Sequence, residues 1–209
     1  MQFEKHIQLI KHSLELPLPG EPAQYLMAPG ERKSKSTYLS EQESYRSSSV
    51  LILLFPDKAG QLSTLLIRRP GNQGIHSGQI AFPGGKIEAG ESRSGAALRE
   101  ANEEVGIVPE QVSIIGELTS LYIPVSNFLV HPFIGTSNFT PKFIPSQDEV
   151  EALVPATIEQ LLMMPVGEMP FKTSYGNLKA PYFDLEGKVI WGATAMIISE
   201  FREIVKRKI

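Results

Sequence analysis

The chain has 209 residues, enough for one domain with a full hydrophobic core and too few for two comfortable ones. Hydrophobic residues at 42% and charged residues at 21% are ordinary globular values, and the formal net charge of −3 argues against a general nucleic-acid binder. The absence of cysteine excludes disulfides, thiolate zinc sites and thiol nucleophiles together.

The opening stretch, "MQFEKHIQLIKHSLELPLPG", is charged throughout and lacks the apolar core of a signal peptide. Phe3, Ile7, Ile10 and Leu14 recur at helical spacing until Pro17 ends the pattern, which predicts a helix packed on the domain. No apolar run is long enough to cross a bilayer, so a soluble, cytoplasmic protein with no membrane partner is expected. Residues 17–47, rich in Pro, Gly, Ser and charge, read as a long irregular arm. Strands follow at 48–56 and 62–69, joined as a hairpin by "DKAGQ", and a short strand at 79–82 runs into the turn "PGGK".

Residues 92–105 read as a helix, with Ser92 as N-cap, Gly106 at the C-terminal cap, and Ala97, Leu98, Ala101 and Val105 as one apolar stripe. Strands are predicted at 112–123, 128–135 and 149–155, then a short helix near 157–163. After "PFKTSY", "KAPYFDL" and "KVIW", a last helix over 193–207 buries Ala193, Ile197, Phe201, Ile204 and Val205. Strands and helices without regular alternation give an α+β fold with a mixed or antiparallel sheet.

The stretch "REANEEVG" sets Glu100, Glu103 and Glu104 at the C-terminal end of the predicted helix, within an arc of roughly 100° beside the apolar stripe. Like charges at these spacings repel, and the partially negative helix end disfavours each carboxylate. With no lysine nearby the arrangement costs on the order of 1–3 kcal/mol. A divalent cation would reverse the sign of each contribution. Carboxylates without His or Cys are hard oxygen ligands, suited to Mg²⁺ or Mn²⁺ rather than zinc. A backbone carbonyl from the glycine pair of "FPGGKIEAGE" could add a ligand, and Arg99 could hold the adjacent Glu100 in its anionic form.

Taken together, "GKIEAGESRSGAALREANEEVGI" resembles the signature box of the Nudix hydrolases, G-x5-E-x7-R-E-U-x-E-E-x-G-U with U apolar. Gly85, Glu91, Arg99, Glu100, Glu103, Glu104, Gly106 and Ile107 fall in register, and Ala101 is a small occupant of the first U position. The resemblance implies a Nudix fold, an α/β/α sandwich around a mixed sheet with the box as loop–helix–loop, and 1–209 as a single domain. It also implies hydrolysis of a nucleoside diphosphate derivative. By the same resemblance Glu100, Glu103 and Glu104 bind Mg²⁺ or Mn²⁺ with the Gly85 carbonyl, Arg99 orients Glu100, and Glu91 anchors the loop. A later acidic residue often completes such a set, and Glu149 is the candidate; either it or Glu100 would be the base.

Upstream, "LLIRRPGNQGIHSGQIAFPGG" is similar to the extra motif of the coenzyme A pyrophosphatase branch, L-L-T-x-R-(S/A)-x3-R-x3-G-x3-F-P-G-G. Leu65, Leu66, Arg69, Gly78 and residues 82–85 match, whereas Ile67, Pro70 and Gly74 depart. The lost arginine at Gly74 removes a natural phosphate clamp. Coenzyme A or acyl-coenzyme A is the expected substrate. Arg69, at a strand end near the box, and His76 are candidates to meet its phosphates, with Arg68 the alternative to Arg69. ADP-ribose, NADH, a dinucleoside polyphosphate or a nucleoside triphosphate are alternatives, as is an inactive nucleotide-sensing domain. An isopentenyl-diphosphate-isomerase-like enzyme would need a cysteine that this chain lacks. The resemblance admits a homodimer, with the N-terminal helix and arm as candidates to swap.

Overall fold

Residues 51–55 form an unbroken apolar run, the mark of a strand covered on both faces. In the computed structural model, which describes residues 2–71, 78–173 and 176–207, all five are buried inside β1 (Arg46–Pro56). β1 pairs in parallel with β7 (Phe128–Thr136) and, at its far end, antiparallel with β2 (Leu62–Arg68). β3 (Ile80–Ala81) and β8 (Ala152–Thr157) flank β2, β4 (Gly84–Lys86) pairs with β1, and β5 (Ser113–Glu117) and β6 (Leu121–Ile123) pair with β7. The one parallel pairing among antiparallel ones makes the sheet mixed.

Alternation along the strands loads both faces. Leu51, Leu53, Leu65, Ile67 and Phe133 pack under α4 (Arg93–Val105), while Ile52, Leu54, Leu66 and Ile134 pack on the other side. That second side is covered by α1 (Gln2–Glu15) and α6 (Gly192–Lys206), with Ile7, Ile10, Met196, Phe201 and Ile204 in its core. The layers are helix, sheet, helix, the expected α/β/α sandwich. α5 (Ile158–Met163) follows β8 and opens with a capping box between Thr157 and Gln160. A separate antiparallel sheet, β9 (Val166–Thr173), β10 (Gly176–Leu185) and β11 (Lys188–Trp191), leads into α6.

Several local expectations change. The arm is not irregular throughout: it holds α2 (Gly20–Tyr25) and α3 (Lys35–Ser40), the latter capped by the Ser34 side chain. The single strand expected at 112–123 is two, because Thr119 turns its backbone away from β7. Its N–H donates to Glu200 and its carbonyl accepts from Gln24. Glu200 is fully buried and also accepts from the Gly20 amide at 3.1 Å and Gln24 Nε2 at 2.8 Å, which fastens α2 to α6. The strand expected from residue 149 begins at Ala152 instead.

The expected turn "PGGK" is β4, an added strand pressed onto β1. Gly84 takes φ +154, and a Cβ there would overlap the Ser49 carbonyl. Replacing Gly84 with Ala is expected to cost about 2 kcal/mol or more, from strain and overlap together. Urea unfolding would read it, and an unchanged midpoint would refute the close approach.

Candidate active site

α4 begins where the sequence places it. The Ser92 hydroxyl accepts from the Gly95 amide at 3.0 Å, and Gly106, at φ 72, closes the other end in the left-handed conformation. The buried face comprises Ala96, Ala97, Ala101, Glu104 and Val105, with Leu98 half-buried beside it. The surprise is Glu104. The three glutamates do not share one edge: the side chain of Glu104 is 2% exposed, that of Glu100 16% and that of Glu103 51%.

Arginines answer the charge that the sequence left unbalanced. Arg99 Nε meets Glu91 Oε1 at 3.0 Å, Nη1 meets Glu100 at 2.9 Å and Glu103 at 2.8 Å, and Nη2 donates to the Lys86 carbonyl. The helix is thereby tied to the loop before it through one forked group. Hydrogen bonds from Arg99 hold the Glu91 carboxyl below its ordinary range, and those to Glu91 raise the guanidinium pKa further. Glu91 joins the loop before the helix to Arg99.

Glu104 is held by groups far away in sequence. The Gly84 amide donates to its Oε2 at 2.8 Å, and Arg69 Nη2 lies 3.3 Å from its Oε1 while donating to the Gly84 carbonyl at 2.8 Å. Burial nevertheless pushes its carboxyl up to about 7, against the pull of Arg69 and the Gly84 N–H. Burial also raises Glu100, whose carboxylate occupies the space where a Gly85 side chain would stand. Glu149 lies in an exposed turn before β8, close enough for its charge to raise both carboxyls.

Arg69, Gly85, Arg99, Glu100, Glu103, Glu104 and Glu149 are thus gathered around one end of α4. Arg68 instead faces Glu151 at the surface, and His76 and Gly74 lie outside the described residues. Sequence reasoning missed the Gly84 amide as the seat of Glu104 and assigned Arg69 only to substrate. Among the described residues, no three acidic or histidine side chains converge as a ready cation cage. The donor chemistry fits a hard divalent cation all the same: two carboxyls raised by burial would be relieved by further positive charge, and every donor is oxygen.

An α/β/α sandwich that presents a capped helix of glutamates at a glycine-rich strand defines a class of protein. Residues 45–181 match the NUDIX domain model, and the chain belongs to that family. It is 32% identical over 149 residues to Nudix hydrolase 3 of Caenorhabditis elegans, covering 70% of this chain but 61% of the worm protein. An uncharacterized Nudix hydrolase NudL of Pectobacterium atrosepticum is 36% identical over 151 residues, 65% of this chain and 71% of that one. Among solved structures, a Nudix hydrolase from M. smegmatis, RenU, superimposes with TM-score 0.54 at 18% identity over 78% of this chain and 87% of that one, a likeness of fold. No helix among the described residues is long and apolar enough to cross a membrane.

The raised Glu104 carboxyl has a stability signature. Its folded pKa of about 7 lies above the ordinary value of 4.5, so the metal-free fold binds the extra proton and loses this contribution as pH climbs between the two. Glu104→Gln removes that dependence. Relative to wild type, the variant is expected to gain on the order of 3 kcal/mol between pH 4.5 and 7, read by urea unfolding in chelator. A pH-independent difference would contradict the burial argument.

Proposed function

We propose that this chain is a metal-dependent pyrophosphatase that cleaves the diphosphate linkage of a nucleoside diphosphate derivative, working as one catalytic unit over 1–209. The observation that carries the reading is the clasp at α4: Arg99 and Arg69 hold Glu91, Glu100, Glu103 and Glu104 in place beside Gly85. Family membership supplies the reaction class. Glu100, Glu103, Glu104 and the Gly85 carbonyl would hold Mg²⁺ or Mn²⁺. Such an ion neutralises phosphate oxygens and makes hydroxide available near neutral pH.

The chain's own residues do the rest. Arg99 orients Glu100 and keeps it from swinging toward solvent. Glu100 or Glu149 takes the proton of the attacking water. Arg69, one-third exposed, lies where it can exchange Glu104 for a substrate phosphate once other positive charge reaches that carboxylate.

Within this class, coenzyme A or acyl-coenzyme A is the substrate we favour, giving 3′,5′-adenosine bisphosphate and 4′-phosphopantetheine or its acyl form. The support is the stretch 65–85, where Arg69 and Gly84 of the branch motif are the groups that seat Glu104. We place the enzyme in the cytoplasm as a soluble protein, with a homodimer admitted.

With Mg²⁺ or Mn²⁺, coenzyme A is expected to be cut to the two products, identified by mass. Glu100→Gln and Glu104→Gln should each lower kcat by about a hundredfold or more. Coenzyme A left intact while ADP-ribose or NADH is cleaved would overturn the substrate, and unimpaired turnover in Glu104→Gln would overturn the site.

A further inference from the structure

β4, β1 and β7 bring Gly85, Ser49 and His131 side by side in register. Leu51 and Phe133, two residues further along their strands, belong to the cluster under α4, so Ser49 and His131 face α4 as well. Over Gly85 lies the Glu100 carboxylate. A polar row therefore crosses the sheet beneath the helix: the Glu100 carboxylate over β4, the Ser49 hydroxyl on β1 and the His131 imidazole on β7, the strands about 4.8 Å apart. The buried face of α4 over this side of the sheet includes the small residues Ala96 and Ala97.

Ser49 is 0% exposed and His131 3%. Neither Ser49 Oγ nor His131 Nε2 has a hydrogen-bond partner among the described residues, a costly condition for buried polar atoms. The other ring nitrogen, Nδ1, lies 3.0 Å from Glu117 Oε1, and the Glu117 side chain is 37% exposed at the rim. A carboxylate only accepts, so Nδ1 carries the proton of the neutral ring and Nε2 is left a lone-pair acceptor. Burial favours that neutral ring against the opposing pull of Glu117. Other charges facing it are Arg93 on α4 and Lys35 on α3. What Nε2 needs is a donor, and the adjacent strand offers an orphan hydroxyl in register with it.

We propose that an ordered water bridges His131 Nε2 and Ser49 Oγ, and that the completed row, Glu117–His131–water–Ser49, makes Ser49 and His131 positioning residues for Glu100. The bridge stands on geometry alone, whereas the positioning role rests on the function proposed above. Fixed at the rim by Glu117, the imidazole and its water hold Ser49, and Ser49 forms the floor beside Gly85 on which the Glu100 carboxylate rests.

Long-range ¹H–¹⁵N correlation on the labelled full-length, metal-free protein tests the bridge. A neutral His131 protonated on Nδ1, with the Nε2 signal of a hydrogen-bonded acceptor, is expected across about pH 6–8. Ser49→Ala, which removes one oxygen, should move the Nε2 signal and leave Nδ1 in place. A ring protonated on Nε2, or an Nε2 signal indifferent to Ser49→Ala, overturns the bridge. In turnover, Ser49→Ala and His131→Gln should lower kcat about tenfold with KM unchanged within about twofold. An unchanged kcat for Ser49→Ala overturns the positioning role. A chain that hydrolyses no pyrophosphate substrate overturns the proposed function and that role with it, while the imidazole signals still decide the bridge.

Discussion

The site depends on one guanidinium. Arg99 reaches Glu91, Glu100, Glu103 and the Lys86 carbonyl at once, so helix, preceding loop and β4 share a single hub. A lysine could supply the charge but not the planar fork. One arginine among three carboxylates leaves an excess of negative charge at the hub. The net energy of the exposed Arg99–Glu103 contact is small, since half of the Glu103 side chain faces water. Its value is geometric.

Burial grades the three glutamates along the helix. Glu103 is solvated, Glu100 is half withdrawn, and Glu104 sits under the sheet edge with a backbone amide and an arginine as partners. Identical side chains within one turn therefore meet different dielectric surroundings, and burial raises the two withdrawn carboxyls, Glu100 and Glu104. The pattern gives the acidic cluster an inside and an outside.

What could be read from the chain was what is local. Ser92, the alanines of the stripe and Gly106 specify α4 within fifteen residues, and its ends fall where the capping chemistry puts them. The layered fold was legible through the resemblance of the box, and the apolar run of β1 and the stripes of α1 and α6 agree with it. The seat of Glu104 was not, because its partners at Gly84 and Arg69 arrive only when β2, β3 and β4 assemble. Electrostatic reasoning along the helix alone found the unfavourable charges and missed the arginine brought in from another strand. The break between β5 and β6 was hidden for a like reason, since Thr119 gives up its ladder bonds to side chains from the two ends of the chain.

Those ends carry a further implication. The NUDIX domain model matches 45–181, yet Gly20, Gln24 and Glu200, the parts of the buried clasp, all lie outside that segment. A fragment trimmed to the recognisable segment would abandon α1 and α6 and leave a whole sheet face uncovered. The domain model's limits therefore do not mark where the packing ends: the buried Glu200 carboxylate draws on residues near both ends of the chain.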